Sequence, residues 1–250
     1  MPSIRIAMWS GPRNISTALM RAWENRPDTV VHDEPFYAYY LAETGIHHPG
    51  RDEIIAANAS DWRHVVRQVA YDPLPAGKTI YYQKHMTHHM LDSIDLAWLG
   101  RVTNCFLLRA PAEVILSYIK VRPNLNLFDI GFAQQLRIFR LVREQTGQIP
   151  PVIDSRDVLQ NPRRMLTLLC DAVGAPFDER MLSWPAGPRP SDGVWAKYWY
   201  AAVEASTGFA PYRPKNEPVP EHLAGVLAEA EEIYRELHQY RLPLADEMTG

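Results

Sequence analysis

Five short apolar runs punctuate the chain: IRIAMW at 4–9, TVVHD at 29–33, TIYYQ at 79–83, TNCFLLR at 103–109 and PVID at 151–154. None alternates cleanly between apolar and polar positions, as suits strands of a parallel sheet covered on both faces. A helical period lies between them. Ile15, Ala18, Leu19, Ala22 and Trp23 share one helix face, and Phe128, Phe132, Leu136, Phe139 and Val142 mark a long amphipathic stretch. Pro111 stands where a first helical turn tolerates proline, Asn161-Pro162 reads as cap and first residue of a helix, and Gly174 ends it. A last helix runs through Leu223, Val226, Leu227, Ala230, Ile233, Tyr234 and Leu237. Strands alternating with helices predict an α/β fold, a central parallel sheet of about five strands flanked by helices. Residues 1–250 read as one domain whose portion 185–250 is helical. The proline-rich pieces 183–193 and 209–221 are long loops, which in compact domains usually carry function.

Composition narrows the class. At 250 residues, 46% hydrophobic and 22% charged, the chain is ordinary for a globular protein. A net charge of -3 argues against a nucleic-acid partner, yet seven Lys/Arg face two Asp/Glu between Arg101 and Arg143. A local basic stretch in a mildly acidic protein suits a small polyanion. Cys105 and Cys170 sit in apolar surroundings and are expected to be buried free thiols. The first strand begins within a few residues of Met1, leaving no room for a secretory leader, and no apolar run approaches a membrane span. The expectation is a cytoplasmic protein with no membrane partner; its oligomeric state is not written in these patterns.

The stretch SGPRNIST, 10–17, follows the first strand and opens a helix. Free amides and the positive helix end make such a place an anion site. Gly11 permits close backbone approach, Pro12 stiffens the turn, Arg13 supplies a planar donor fork, and Ser16 and Thr17 add hydroxyls. No Gly-Lys-Ser/Thr ending follows, which disfavours magnesium-ATP chemistry.

This loop resembles the 5′-phosphosulfate loop of sulfotransferases, with Arg13, Asn14, Ser16 and Thr17 on the corresponding positions and Ile15 where the family usually has glycine. A second segment, CFLLRAPAEVILSYIK, is similar to the family's strand–Arg–helix signature. In those enzymes its Arg and Ser hold the 3′-phosphate; Arg109 and Ser117 match, and Ala110 replaces the usual aspartate. A third segment, 150–184, is similar to a family strand–loop–helix piece and reads as scaffold. The resemblance implies a three-layer P-loop fold, and an adenine nucleotide, 3′-phosphoadenosine 5′-phosphosulfate (PAPS), as sulfuryl donor. It also implies a small-molecule acceptor carrying a hydroxyl or amine. The family's glycine-rich C-terminal motif is not visible; 206–215, with Arg213 or Lys215, is its candidate substitute.

An acceptor hydroxyl needs a base. Glu34-Pro35, after the second strand, looks like the glutamate that serves as base or acceptor ligand in some bacterial and carbohydrate sulfotransferases. Lys84 and His85, placed after the third strand, resemble the Lys-Thr-His of cytosolic sulfotransferases without its spacer. Glu34 fits without a shift, and partial burial would raise its pKa toward neutrality. Lys84 is the candidate to stabilise charge on the transferring group. His85, His88 and His89 have i, i+3, i+4 spacing, but no carboxylate or cysteine follows at ligand spacing; no metal is expected, and the histidines are expected to face an acceptor pocket. The aromatic residues of 36–41 and 194–209 read mostly as core. Two other readings stand beside the leading one: a P-loop kinase-like phosphotransferase with Asp154 on a metal, and a nucleotide-binding module without catalysis.

Overall fold

The computed structural model describes residues 3–244. Five strands form one parallel sheet in the order β2-β3-β1-β4-β5: β1 (Ile4–Ser10), β2 (Thr29–Asp33), β3 (Ile80–Met86), β4 (Thr103–Leu108) and β5 (Val152–Asp154). The helices are α1 (Ser16–Glu24), α2 (Tyr37–Thr44), α3 (Arg51–Ala57), α4 (Trp62–Ala70), α5 (Pro111–Tyr118), α6 (Leu127–Ile130), α7 (Phe132–Thr146), α8 (Ser155–Gln160), α9 (Pro162–Val173), α10 (Ala196–Trp199), α11 (Ala201–Glu204) and α12 (Ala224–His238).

Alternation along the strands builds two cores. Ile6 and Met8 of β1, with Cys105 and Leu107 of β4, face Leu19 and Trp23 of α1 and Leu166 and Leu169 of α9. Ala7, Trp9, Phe106 and Leu108 face Val65 and Val69 of α4, Ile138 and Phe139 of α7 and Leu237 of α12. This is the three-layer α/β fold. Both cysteines are buried and unbridged. Among the described residues no helix is long and apolar enough to cross a membrane.

Local signals set several boundaries. Pro111 opens α5, Asn161 accepts the Arg164 amide at 3.1 Å, and Gly174 closes α9 in the left-handed region. The amphipathic stretch 128–142 is broken at Gly131, φ 74°, leaving Phe128 exposed. The third strand runs to Met86, beyond its apolar run, so Lys84 and His85 lie within β3 and not after it.

The chain leaves β1 toward β2 and β3 but leaves β4 toward β5, on the other side. The carboxyl ends of β1 and β4 therefore form a topological switch point, where open α/β sheets take their ligands. Gln135 of α7 spans that crevice, its Nε2 donating to the carbonyls of Trp9 at 3.2 Å and Leu107 at 3.0 Å.

Candidate active site

The loop after β1 turns through Arg13, whose φ of 58° is left-handed although it carries a side chain. Asn14 shapes the turn: its Oδ1 accepts the Ile15 amide at 2.9 Å and its Nδ2 reaches the Leu107 carbonyl at 3.4 Å. No side chain caps α1, and no acidic residue sits in its first turn. Uncapped first-turn amides with the helix dipole behind them favour an anion. Pro12, Arg13, Asn14, Ser16 and Thr17 all line one cavity of about 390 Å³.

Arg109 and Ser117 line the same cavity. Arg109 extends β4 toward α5, and Ser117 lies two turns into that helix. Arg13 Nε donates to Ser117 Oγ at 3.1 Å, and Arg109 Nη1 donates to the Arg13 carbonyl at 2.8 Å. The two arginines, ninety-six residues apart, thus share one network. Glu113 aims the second: its Oε2 accepts from Arg109 Nε at 2.9 Å and its Oε1 from Tyr212 at 2.7 Å. The loop carrying Tyr212 also brings Lys215, whose Nζ donates to the Glu113 carbonyl at 3.3 Å. Burial, then the charges of Arg109 and Lys120, push the Lys215 pKa down. Arg213 points to solvent.

Gly11 does not line the cavity. A Cβ there would collide with the Ile130 carbonyl, so the close approach it permits is to the α6–α7 junction.

Glu34 and Lys84 enter the cavity wall from the ends of β2 and β3. Asp33 pairs with Lys84 across the sheet, which puts an acidic and a basic side chain side by side. Lys84 Nζ donates to Asp33 Oδ1 at 2.9 Å, Glu34 Oε1 at 2.6 Å and Tyr200 Oη at 2.7 Å, and Tyr200 donates to Asp33 Oδ2 at 2.6 Å. All three ammonium hydrogens are used. Burial works against the Lys84 charge, but Asp33, Glu34 and Tyr200 outweigh it and hold its pKa well above the ordinary lysine value. Burial pushes the Glu34 carboxyl up; Lys84 pulls it back and Asp33 pushes it further, leaving it raised. Glu34 keeps 12% of its side chain open to the cavity, and its φ of 43° is left-handed.

His85 is not brought to the cavity. Within β3 it points opposite to Lys84, because successive side chains alternate. Its ring stacks on Trp9 with centroids 4.4 Å apart, contacts Phe36 and Trp98, and bonds to Gln83 Oε1 at 3.0 Å. Burial pushes its pKa well below the ordinary histidine value. His88 and His89 follow in a single 3-10 turn, Thr87–His89, and do line the cavity, so the three histidines share no helix face. Among the described residues no cluster of three or more His, Cys, Asp or Glu could hold a metal. Asp154 caps α8 and accepts from Tyr234 at 2.8 Å, away from the cavity wall.

Sequence reading underrates Asp33 and Tyr200. Asp33 is visible beside Glu34 in HDEP, but Tyr200 sits among aromatic residues whose other members behave differently. Trp195 is core, Tyr198 is 43% exposed, and Trp199 borders the cavity. No local pattern separates them.

Residues 4–238 match a family model described as a sulfotransferase domain. Two curated Arabidopsis thaliana relatives, branched-chain-amino-acid aminotransferase-like proteins 1 and 2, are 37% and 34% identical over 213 and 206 residues. These alignments cover 85% and 82% of this chain but only 37% and 36% of those proteins, so the chain spans little more than a third of their length. Among solved structures, the sulfotransferase domain of the Synechococcus PCC 7002 olefin synthase aligns with a TM-score of 0.54 at 17% identity, covering 97% of this chain and 96% of that one. The sulfotransferase domain from the curacin biosynthetic pathway gives 0.51 at 17% identity, over 97% and 99%. At such identity these are likenesses of fold.

Proposed function

The chain belongs to the sulfotransferase-domain family, and from that premise we propose that it transfers a sulfuryl group from PAPS to a hydroxyl or amine of a small acceptor. One observation carries the reading: the anion loop after β1 and the arginine after β4 meet in a single cavity onto which a largely buried carboxylate opens.

In this reading the first-turn amides of α1, the Arg13 fork and the Ser16 and Thr17 hydroxyls receive the 5′-phosphosulfate. Arg109, aimed by Glu113, and Ser117 receive the 3′-phosphate, with Lys215 close by. Transfer breaks the bond between sulfur and the bridging phosphate oxygen and forms one to the acceptor. Charge builds on the departing phosphate, where preorganised donors stabilise it without reorganising. The acceptor proton goes to Glu34, whose raised pKa suits a base near neutrality. Lys84, with its hydrogens engaged, holds Glu34 and keeps part of its charge rather than reaching the sulfuryl oxygens.

The experiment is a titration with 3′,5′-bisphosphoadenosine, with and without magnesium. Binding is expected without the metal. Arg13→Ala and Arg109→Ala each lose a charge-assisted contact, about 2 kcal/mol or roughly 30-fold in affinity. Tighter binding of magnesium-ATP, with indifference to both substitutions, would sink the proposal.

A further inference from the structure

Beyond Glu34 the cavity wall changes character. It is made of Tyr37, Tyr118, Trp199 and the imidazoles of His48, His88 and His89. His88 and His89 are 5% and 2% exposed, and no hydrogen bond joins either ring to another described residue. The Nδ1 atom of each is fully buried without a partner, so the nitrogen left to meet a ligand is Nε2. That of His89 lies 4.0 Å from Glu34 Oε2, too far for a direct bond and close enough for two neighbouring ligand oxygens. The turn carrying both rings is pinned, Thr87 Oγ1 donating to the Gly131 carbonyl at 2.8 Å. Burial holds both imidazoles neutral, with His88 pushed down to about 3 and His89 well below its ordinary value. His48, also lowered, is spent on Tyr37 at 2.8 Å. The charged groups of the wall are Arg13 and Arg109 at the anion loop, Glu34, and a Lys84 with its hydrogens engaged.

On this side the charges are Glu34, taken by the reacting hydroxyl, and Lys84, whose hydrogens are engaged, while two neutral rings offer nitrogens beside the carboxylate. We propose that the acceptor is an uncharged vicinal diol: one hydroxyl sits on Glu34 and reacts, its neighbour bonds to His88 and His89, and these two histidines determine specificity. The proposal rests on the sulfotransferase reading of the same cavity. Aromatic and aliphatic diols share this chemistry, and the test separates them.

The protein is saturated with 3′,5′-bisphosphoadenosine and titrated calorimetrically with catechol, cis-1,2-cyclohexanediol, phenol and salicylate. At least one diol is expected to bind about tenfold or more tighter than phenol and salicylate, because a site built to bond a hydroxyl rejects analogues lacking it. In His88→Phe and His89→Phe that preference should shrink to within roughly threefold, while bisphosphate affinity stays unchanged and reports a folded protein. His89→Gln, which keeps a side-chain N–H, should recover part of it. Salicylate equal to the diols, a preference unchanged in both variants, or no binding of either diol would overturn the proposal. Should the bisphosphate itself fail to bind, the parent reading fails, and the same diol-to-phenol ratio taken without nucleotide still decides this one.

Discussion

Among the described residues, Arg13 and Glu34 are the two other than glycine held at positive φ, and both face the cavity. Such backbone costs on the order of 1–3 kcal/mol per residue and persists where surrounding contacts over-determine it. Here those contacts are the Asn14 turn on one side and the Lys84 knot on the other. Glu34→Gln keeps the shape and removes the proposed base, so turnover should fall about 100-fold or more while bisphosphate affinity holds. For the wild type, activity should vanish as pH falls through the Glu34 pKa, because the protonated carboxyl cannot accept the acceptor's proton. That limb should lie above the ordinary carboxylate value of about 4.3. Lys84→Met removes the charge that pulls Glu34 down, so the limb moves to still higher pH. The same change strands the Asp33 carboxylate and should cost about 3 kcal/mol, lowering Tm by roughly 6–12 °C. A pH–rate profile and a melting curve of this one variant report the two effects separately.

Elements, more than single residues, explain what the sequence conveys. Asn161-Pro162 to Gly174, Pro111 and the five apolar runs carry their structure locally, through caps, missing amides and hydropathy, and each is legible. The end of β3 is not. Lys84 and His85 are polar, and they are strand because β1 pairs with them, Met8 with Lys84 and Trp9 with His85. Strand identity depends on neighbours, so the run of hydropathy stops too early, and the two side chains are read as one cluster when they face opposite layers. That the loop after β1 borders the cavity is legible because its residues are contiguous; the Asp33–Lys84–Tyr200 knot joins three distant segments and is not. Gly11 shows the same limit, since what it touches is Ile130, more than a hundred residues on. Gly11→Ala must push the loop from the α6–α7 junction, a packing strain on the order of 1–3 kcal/mol. Bisphosphate binding should weaken by about tenfold or more although no nucleotide contact is removed. Unchanged affinity would mean that the junction does not hold the loop.

At the scale of the molecule, the layers that frame the site also bury histidines in and around it. His32, His48, His85, His88 and His89 all have pKa values lowered first by burial. The unfolded chain takes up these protons near pH 6.5 and the folded one at lower pH, so the stability they contribute is complete above 6.5. It is lost progressively as pH falls toward the folded values, with a limit of about 1.4 kcal/mol per pH unit for each histidine. Asp154, pushed up to about 6, and Glu34 act oppositely, because the folded protein binds their protons first. Five lowered histidines set against two raised carboxylates leave stability falling on balance below pH 6.5. Unfolding free energies from urea titrations should hold between pH 7.5 and 6.5 and fall from there to pH 5, and His88→Phe should flatten that fall by about 1 kcal/mol per unit. A fall left unchanged in His88→Phe would mean that this ring takes up its proton in the folded state. That would place a cation on the cavity wall and deprive the cavity of the neutral wall on which an uncharged acceptor depends.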